Sequence, residues 1–198
     1  LVTSLAVKKK IDFIGIGAQK AGSTWLFHIL MEHPEISRPK KKEVSFFNDY
    51  RSFYTRNFRS NYCKGLKWYY NQLNLEKDKV NGEISPDYIF DEAAPKRIKE
   101  HFPKVKILAI LRDPVQRAYS HYLWACRHFD VGGSFEEAVE KHPEFLQRGL
   151  YYKQLKRYYD LFVNEQIKVV LFDDLINKPE ELVYDLEDFL GIKRYLPE

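Results

Sequence analysis

Ile14-Gly15-Ile16-Gly17-Ala18-Gln19-Lys20-Ala21-Gly22-Ser23-Thr24-Trp25 is the stretch that decides the fold. It starts inside an apolar run, Ile11–Ile16, that reads as a buried strand. It ends in a helical pattern over Thr24–Glu32, with Ser23 or Thr24 available as N-cap. Small residues in the loop between them let backbone N–H groups approach a ligand. The helix adds its unpaired N–H groups and the positive end of its dipole. Lys20 supplies a full charge, and Ser23 and Thr24 supply hydroxyl donors. Together these describe a site for a phosphate-like anion. Gly17 and Gly22 have the spacing of a GxxxxGKS/T loop, in which lysine follows the second glycine. Here Ser23 follows Gly22, and Lys20 stands two residues before it, which speaks against an ordinary ATPase or GTPase. A plain strand–helix turn with an exposed lysine also accommodates the loop taken alone.

Further apolar runs lie at Lys106–Leu111 and Ile167–Phe172, with a weaker one at Val80–Ile84. They are aliphatic without a helical stripe, as parallel strands covered on both faces are. Helical patterns alternate with them. One covers Pro114–Arg127, with Val115, Ala118, Tyr119 and Tyr122 as its apolar stripe. A second carries Tyr151, Leu155, Tyr158, Tyr159 and Phe162. The last starts near Pro179, carries Leu182, Leu186, Phe189 and Leu190, and stops at Gly191. This alternation predicts an α/β chain with a P-loop-like three-layer fold: a central, mostly parallel sheet flanked by helices. Ligands of such sheets sit beyond the carboxyl ends of the strands. That rule selects the loops Gly15–Thr24, Ser85–Tyr88 and Arg112–Pro114.

The composition is that of a globular chain, with 44% hydrophobic and 30% charged residues in 198. That length predicts one domain, 1–198. A net charge of +4 suits an anionic ligand and is too small to suggest nucleic acid as partner. Two cysteines, Cys63 and Cys126, make neither a disulfide scaffold nor a zinc site, and no metal-ligand cluster is recognisable. No apolar run approaches the ~20 residues of a membrane helix. The first residues carry their charges after the apolar stretch, the reverse of a secretory signal. The expected compartment is the cytoplasm, with the Golgi lumen as the alternative if an N-terminal anchor was removed.

GAQKAGSTWL, at Gly17–Leu26, resembles the 5′-phosphosulfate loop of sulfotransferases that use 3′-phosphoadenosine 5′-phosphosulfate (PAPS). ILRDPVQRAYSHYLW, at Ile110–Trp124, resembles that family's 3′-phosphate segment. Lys42-Glu43-Val44-Ser45-Phe46-Phe47 is similar to the KExxFF segment of the heparan sulfate type and its bacterial relatives. Gly82-Glu83-Ile84-Ser85-Pro86-Asp87-Tyr88 and the region Gly149–Gly191 resemble the same branch. The likeness runs from about Asp12 to Ile192.

This resemblance implies transfer of a sulfuryl group from PAPS to an alcohol by in-line displacement, without a metal and with adenosine 3′,5′-bisphosphate (PAP) as product. It implies that Lys20, Ala21, Gly22, Ser23, Thr24 and Trp25 hold the 5′ end and that Arg112 and Ser120 hold the 3′-phosphate. Lys20 is then the electrostatic catalyst and Glu43 the general base. Lys42, Glu83 and Ser85 become candidate acceptor contacts. Arg117 reads as a surface ion-pair residue and His121 as structural.

Two departures stand out: Ser45 occupies a position that is often histidine, and Ile84 one that is often lysine. The relatives also continue into a basic, glycine-containing loop that closes over the nucleotide, and these 198 residues show none. The expected acceptor is a glycan or a carrier-tethered or small-molecule hydroxyl. Phe46, Phe47, Tyr50, Phe53, Tyr54, Trp68, Tyr69 and Tyr70 fit either an acceptor cleft or the core. A P-loop kinase-like phosphotransferase and a non-catalytic nucleotide-binding protein derived from a sulfotransferase remain as alternatives.

Overall fold

The computed structural model describes residues 10–50, 52–53 and 59–196. Strands β1 (Phe13–Gly17), β2 (Ile36–Ser37), β3 (Val80–Ile84), β4 (Lys106–Leu111) and β5 (Ile167–Leu171) form one sheet in the order β2-β3-β1-β4-β5. Every pairing is parallel, with Ile14 beside Glu83 on one side and Ile107 on the other. Helices α1 (Ser23–Glu32), α2 (Gly65–Gln72), α3 (Ala94–His101), α4 (Pro114–His128), α5 (Phe135–Lys141), α6 (Glu144–Gln147), α7 (Tyr151–Tyr159), α8 (Phe172–Asn177) and α9 (Pro179–Leu190) surround it.

Side chains alternate across the sheet, so each central strand feeds two cores. Ile14, Ile16, Ile107 and Ala109 pack with Tyr69, Leu73, Ile98, Phe102 and Tyr158 from α2, α3, α7 and their ends. Phe13, Leu108 and Ile110 pack with Leu26, Leu30, Leu182 and Leu186 from α1 and α9. That makes three layers, with the sheet in the middle, as the alternation predicts. Burial on both faces is why these strands read as unbroken apolar runs.

The structure corrects several details. β1 begins at Phe13 and runs on to Gly17, and β5 ends at Leu171, so Phe172 opens a helix instead of closing a strand. The predicted apolar stripe of α4 holds at Ala118 and Tyr122 and fails at Val115 and Tyr119. Val115 is 64% and Tyr119 49% exposed, while Arg117, Ala118, His121 and Ala125 are buried. The reason is tertiary: α5 and α6 pack on that side and build a small core of Ala125, Ala138 and Phe145. Arg117 is therefore no surface ion-pair residue, and its guanidinium donates to the carbonyl of Phe145. Phe46, Phe47 and Tyr69 belong to the core, with Trp68 stacked on Phe46, which decides against an acceptor cleft for them. Tyr54 lies outside the described residues.

Gly22 precedes α1 with φ +99, and a Cβ there would come within 3.1 Å of both Ile110 and Phe172. An L side chain is strained in that region. Gly22→Ala is expected to cost about 1–2 kcal/mol of stability. Urea unfolding of the variant checks this, and wild-type stability would contradict it.

Candidate active site

Because the strands are parallel, the loops after β1, β3 and β4 meet at one edge. Three backbone bonds tie them: Ala18 N–H to Ile110 O at 2.7 Å, Ser85 N–H to Gly15 O at 2.9 Å, and Ile89 N–H to Ile16 O at 2.8 Å. A cleft of about 490 Å³ opens there, lined by Gln19, Lys20, Gly22, Ser23, Thr24, Lys42, Glu43, Ser52, Pro86, Asp87, Arg112, Ser120, Trp124, Phe129 and Phe172. It adjoins a second lobe of about 460 Å³ that shares Lys20, Arg112, Ser120 and Trp124 and adds Gln116, Tyr119, Leu123 and Arg127.

The N-cap of α1 is Gly22, not Ser23 or Thr24 as expected from sequence. Its left-handed backbone starts the helix, and no side chain caps it. The first-turn N–H groups and the dipole end thus stand at the cleft wall made by Gly22, Ser23 and Thr24. Lys42 Nζ donates to Thr24 Oγ1 at 2.7 Å and lies 3.5 Å from Glu43, bridging the two segments. Lys20 Nζ sits 5.2 Å from the centroid of the Trp124 ring. Burial, then the charges of Lys42, Arg112 and Arg127, push the Lys20 ammonium below its usual range. Such crowding of cations is relieved by an anion. Ala21 is fully buried and offers only backbone. Trp25 packs against the core shared by α1 and α9 and does not line the cleft.

Asp113 caps α4 by accepting from Gln116 N–H at 2.8 Å, and Pro114 follows in the first helical turn. Arg112 is thereby left between strand and helix. Its carbonyl accepts from Tyr151 OH at 2.9 Å, and its guanidinium lies 4.5 Å from the Phe172 ring centroid. Arg112 Nε is buried without a hydrogen-bond partner among the described residues. Ser120, two turns along α4, faces the same cleft. His121 points the other way, into the helical core, edge-on to Phe145. Burial, then the charges of Arg148, Arg117 and Lys20, push its pKa down to about 2, so the ring is neutral near pH 7.

Glu43 reaches the cleft from a segment whose next four residues, Val44 to Phe47, are buried. Ser45 takes φ +50 there. Glu83 and Ser85, by contrast, are fully buried and are not among the residues that line the cleft. The Glu83 carboxylate accepts from Ser85 Oγ and Tyr88 OH, both at 2.7 Å. Burial lifts its pKa to about 7 against the opposing pull of those hydrogen bonds. Ile84, beside it, packs into the core of α1 and α9.

Lining residues that sequence reasoning missed are Asp87, Ser52, Trp124, Phe129 and Phe172. Asp87 stood in a loop already selected by topology. Trp124 is four residues past Ser120, one helical turn along the same face. Asp87 is paired with Arg148 at 2.8 Å, and Arg148 also holds Glu144 at 2.6 Å, which in turn accepts from Ser52 Oγ at 2.8 Å. Nothing in the sequence marked Ser52. Among the described residues no group of three His, Cys, Asp or Glu side chains gathers to hold a metal ion, and no helix is long and apolar enough to cross a membrane.

A parallel sheet with a glycine-containing loop after its first strand, an arginine after a neighbouring strand and a cleft between them is a P-loop-like α/β fold. The chain belongs to the sulfotransferase domain family, whose model matches residues 10–196. It is 32% identical to the human bifunctional heparan sulfate N-deacetylase/N-sulfotransferase 3, over 91% of this chain and 22% of that protein. It is 24% identical to the membrane-associated sulfotransferase kil1 of Dictyostelium discoideum, over 91% of this chain and 56% of that one. The chain therefore spans little more than half the length of one relative and under a quarter of the other. A solved sulfotransferase from Alicyclobacillus acidocaldarius superposes with a TM-score of 0.83 at 31% identity, covering 96% of this chain and 84% of that one.

The raised pKa of Glu83 has a stability consequence with a definite sign. The folded state keeps a proton on Glu83 up to about pH 7, whereas its ordinary value is 4.5. Its contribution is therefore fullest below pH 4.5 and is lost as pH rises toward 7, by about 3 kcal/mol. Subtracting the stability–pH curve of Glu83→Gln from that of the wild type isolates this component. A difference that stays flat between those pH values would contradict the assignment.

Proposed function

We propose that this chain moves the sulfuryl group of PAPS to an acceptor hydroxyl. The observation that carries the proposal is the meeting of Lys20, Arg112, Ser120 and the uncapped start of α1 in one cleft that Glu43 also lines. The nucleotide carries anionic groups at two ends, and the cleft has two cationic lobes joined at Lys20 and Arg112. The unpartnered Arg112 Nε and the crowded Lys20 ammonium fit such a ligand.

PAPS supplies an activated sulfuryl group whose leaving group is the 5′-phosphate of PAP. Lys20, the first-turn amides of α1 and the hydroxyls of Ser23 and Thr24 hold that phosphate as the S–O bond breaks and charge builds on it. Arg112 and Ser120 hold the 3′-phosphate, the guanidinium through paired N–H donors. Glu43 takes the proton of the acceptor hydroxyl as its oxygen bonds to sulfur. Lys42, bonded to Thr24 and near Glu43, keeps the base beside the phosphate loop. Lys20 and Arg112, rather than a metal, neutralise the charge. The acceptor is a glycan or a carrier-tethered or small-molecule alcohol. Likeness to the N-sulfotransferases favours a glycan amine as a second acceptor type, for which Glu43 serves equally.

Lys20→Ala and Arg112→Ala should each weaken PAP binding by about 10- to 100-fold, the worth of a charged hydrogen bond. Glu43→Gln should bind PAP like the wild type and lose at least about 100-fold in turnover. Calorimetry with PAP, and transfer from ³⁵S-labelled PAPS to desulfated heparan chains and simple alcohols, measure both. Undiminished turnover in Glu43→Gln would remove that residue from the base role.

A further inference from the structure

We infer that Glu83 is a positioning residue for the transfer reaction: through the hydroxyls of Ser85 and Tyr88 it fixes the backbone of Val44–Phe46 and so aims Glu43 into the cleft. This rests on the reading of Glu43 as the base.

The inference follows from counting donors and acceptors. A hydroxyl has one hydrogen to give. Ser85 gives its hydrogen to Glu83 Oε2 and Tyr88 gives its own to Glu83 Oε1, each at 2.7 Å. The oxygens of both are then committed as acceptors. Ser85 Oγ accepts from Ser45 N–H at 3.0 Å, and Tyr88 OH accepts from Phe46 N–H at 2.8 Å. The Val44 amide also stabilises the Glu83 charge. Three successive amides thus converge on one carboxylate, two of them through a hydroxyl relay, in the manner of a backbone nest. Ser45 takes its φ of +50 inside this arrangement. A non-glycine residue holds that conformation only where its surroundings over-determine it.

Only an acceptor-only group sets both relays in this direction, and Glu83 is one in its ionised form, above about pH 7. A carboxamide offers one oxygen, and its NH₂ must donate into one of the two hydroxyls. That hydroxyl then has three groups around it and no acceptor for its own hydrogen. Either its hydrogen or an amide of the Glu43 segment is left unpaired in a buried place. Packing alone gives no reason for an ionisable group here, since burial disfavours its charge. Glu83 is itself fully enclosed and touches nothing in the cleft, so it acts through the segment and not on the acceptor. Glu43, two residues before Ser45, retains 28% side-chain exposure at the cleft.

The test compares wild type, Glu83→Gln, Glu43→Gln and the double variant at a pH above 7, where Glu83 is ionised. Three quantities are read: PAP affinity, the single-turnover rate of ³⁵S-sulfate release from PAPS with water as acceptor, and amide hydrogen exchange of peptides covering residues 43–47 and 18–25. Glu83→Gln should keep PAP affinity within about twofold while its turnover falls by up to about 100-fold, the effect of misplacing a catalytic group. Exchange should speed up in 43–47 and stay unchanged in 18–25. In the Glu43→Gln background the same change should cost no further turnover, because it acts through a group already removed.

Wild-type turnover in a folded Glu83→Gln protein, unaltered protection of 43–47, or an equal loss in both backgrounds would each overturn the inference. If Glu83→Gln does not fold, Ser85→Ala and Tyr88→Phe each cut one relay and should give the same non-additive loss. Full turnover in Glu43→Gln alone sinks the base reading instead, and the exchange data still report whether Glu83 holds the segment.

Discussion

Ser85 and Tyr88 donate to the enclosed carboxylate of Glu83, and their oxygens accept the amides of Ser45 and Phe46. From that point the ties run outward to the cleft. The segment fixed by those amides carries Lys42 and Glu43. Lys42 reaches across to Thr24 in the first turn of α1. The loop before α1 is pinned to β4 by Ala18 N–H on Ile110 O, and β4 ends one residue before Arg112. Glu43, the loop before α1 and Arg112, from three distant parts of the sequence, are held by a short series of hydrogen bonds. Each of these bonds is modest in net worth. Their effect lies in leaving the cleft few alternative shapes.

The cleft's charge explains why overall composition says so little about it. The net charge is only +4, yet Lys20, Lys42, Arg112 and Arg127 all face the two joined lobes. Of the two carboxylates on the cleft wall, Asp87 is paired with buried Arg148, which it shares with Glu144. Focusing a small excess of charge into one concave place gives a field that the chain total hides. Burial, then the same crowding, pushes the Lys20 ammonium below its usual range.

How far the sequence could be read depended on whether a residue's surroundings are local. β4 is legible at both ends because a parallel strand covered on two faces writes itself as an apolar run. α9 is legible because Pro179 opens it and Gly191, at φ +76, closes it. The phosphate loop is legible because glycine spacing, a lysine and a helix start fall within a dozen residues. Long-range packing was not legible. Arg117 looks like a surface residue until α5 and α6 cover it, while His121, read as structural, is buried. Glu83 looks like a ligand contact until β1, the segment at residues 44–47 and Tyr69 enclose it. Phe172 continues an apolar run in the sequence, yet it packs against the space left by Gly22 and presents its ring to Arg112. The capping box of α5, Ser134 with Glu137, is a local signal written in the sequence.

Calorimetric titration with PAP, in the presence and absence of Mg²⁺ and beside ATP, tests the cleft most directly. Lobes built around Lys20 and around Arg112 with Ser120 predict micromolar PAP affinity, about −8 kcal/mol, independent of metal. ATP, which has no 3′-phosphate for Arg112 and Ser120, should bind at least about tenfold more weakly, a difference of about 1.4 kcal/mol. PAP binding that requires Mg²⁺, ATP binding as tight as PAP, or no PAP binding at all would contradict a sulfotransferase nucleotide site.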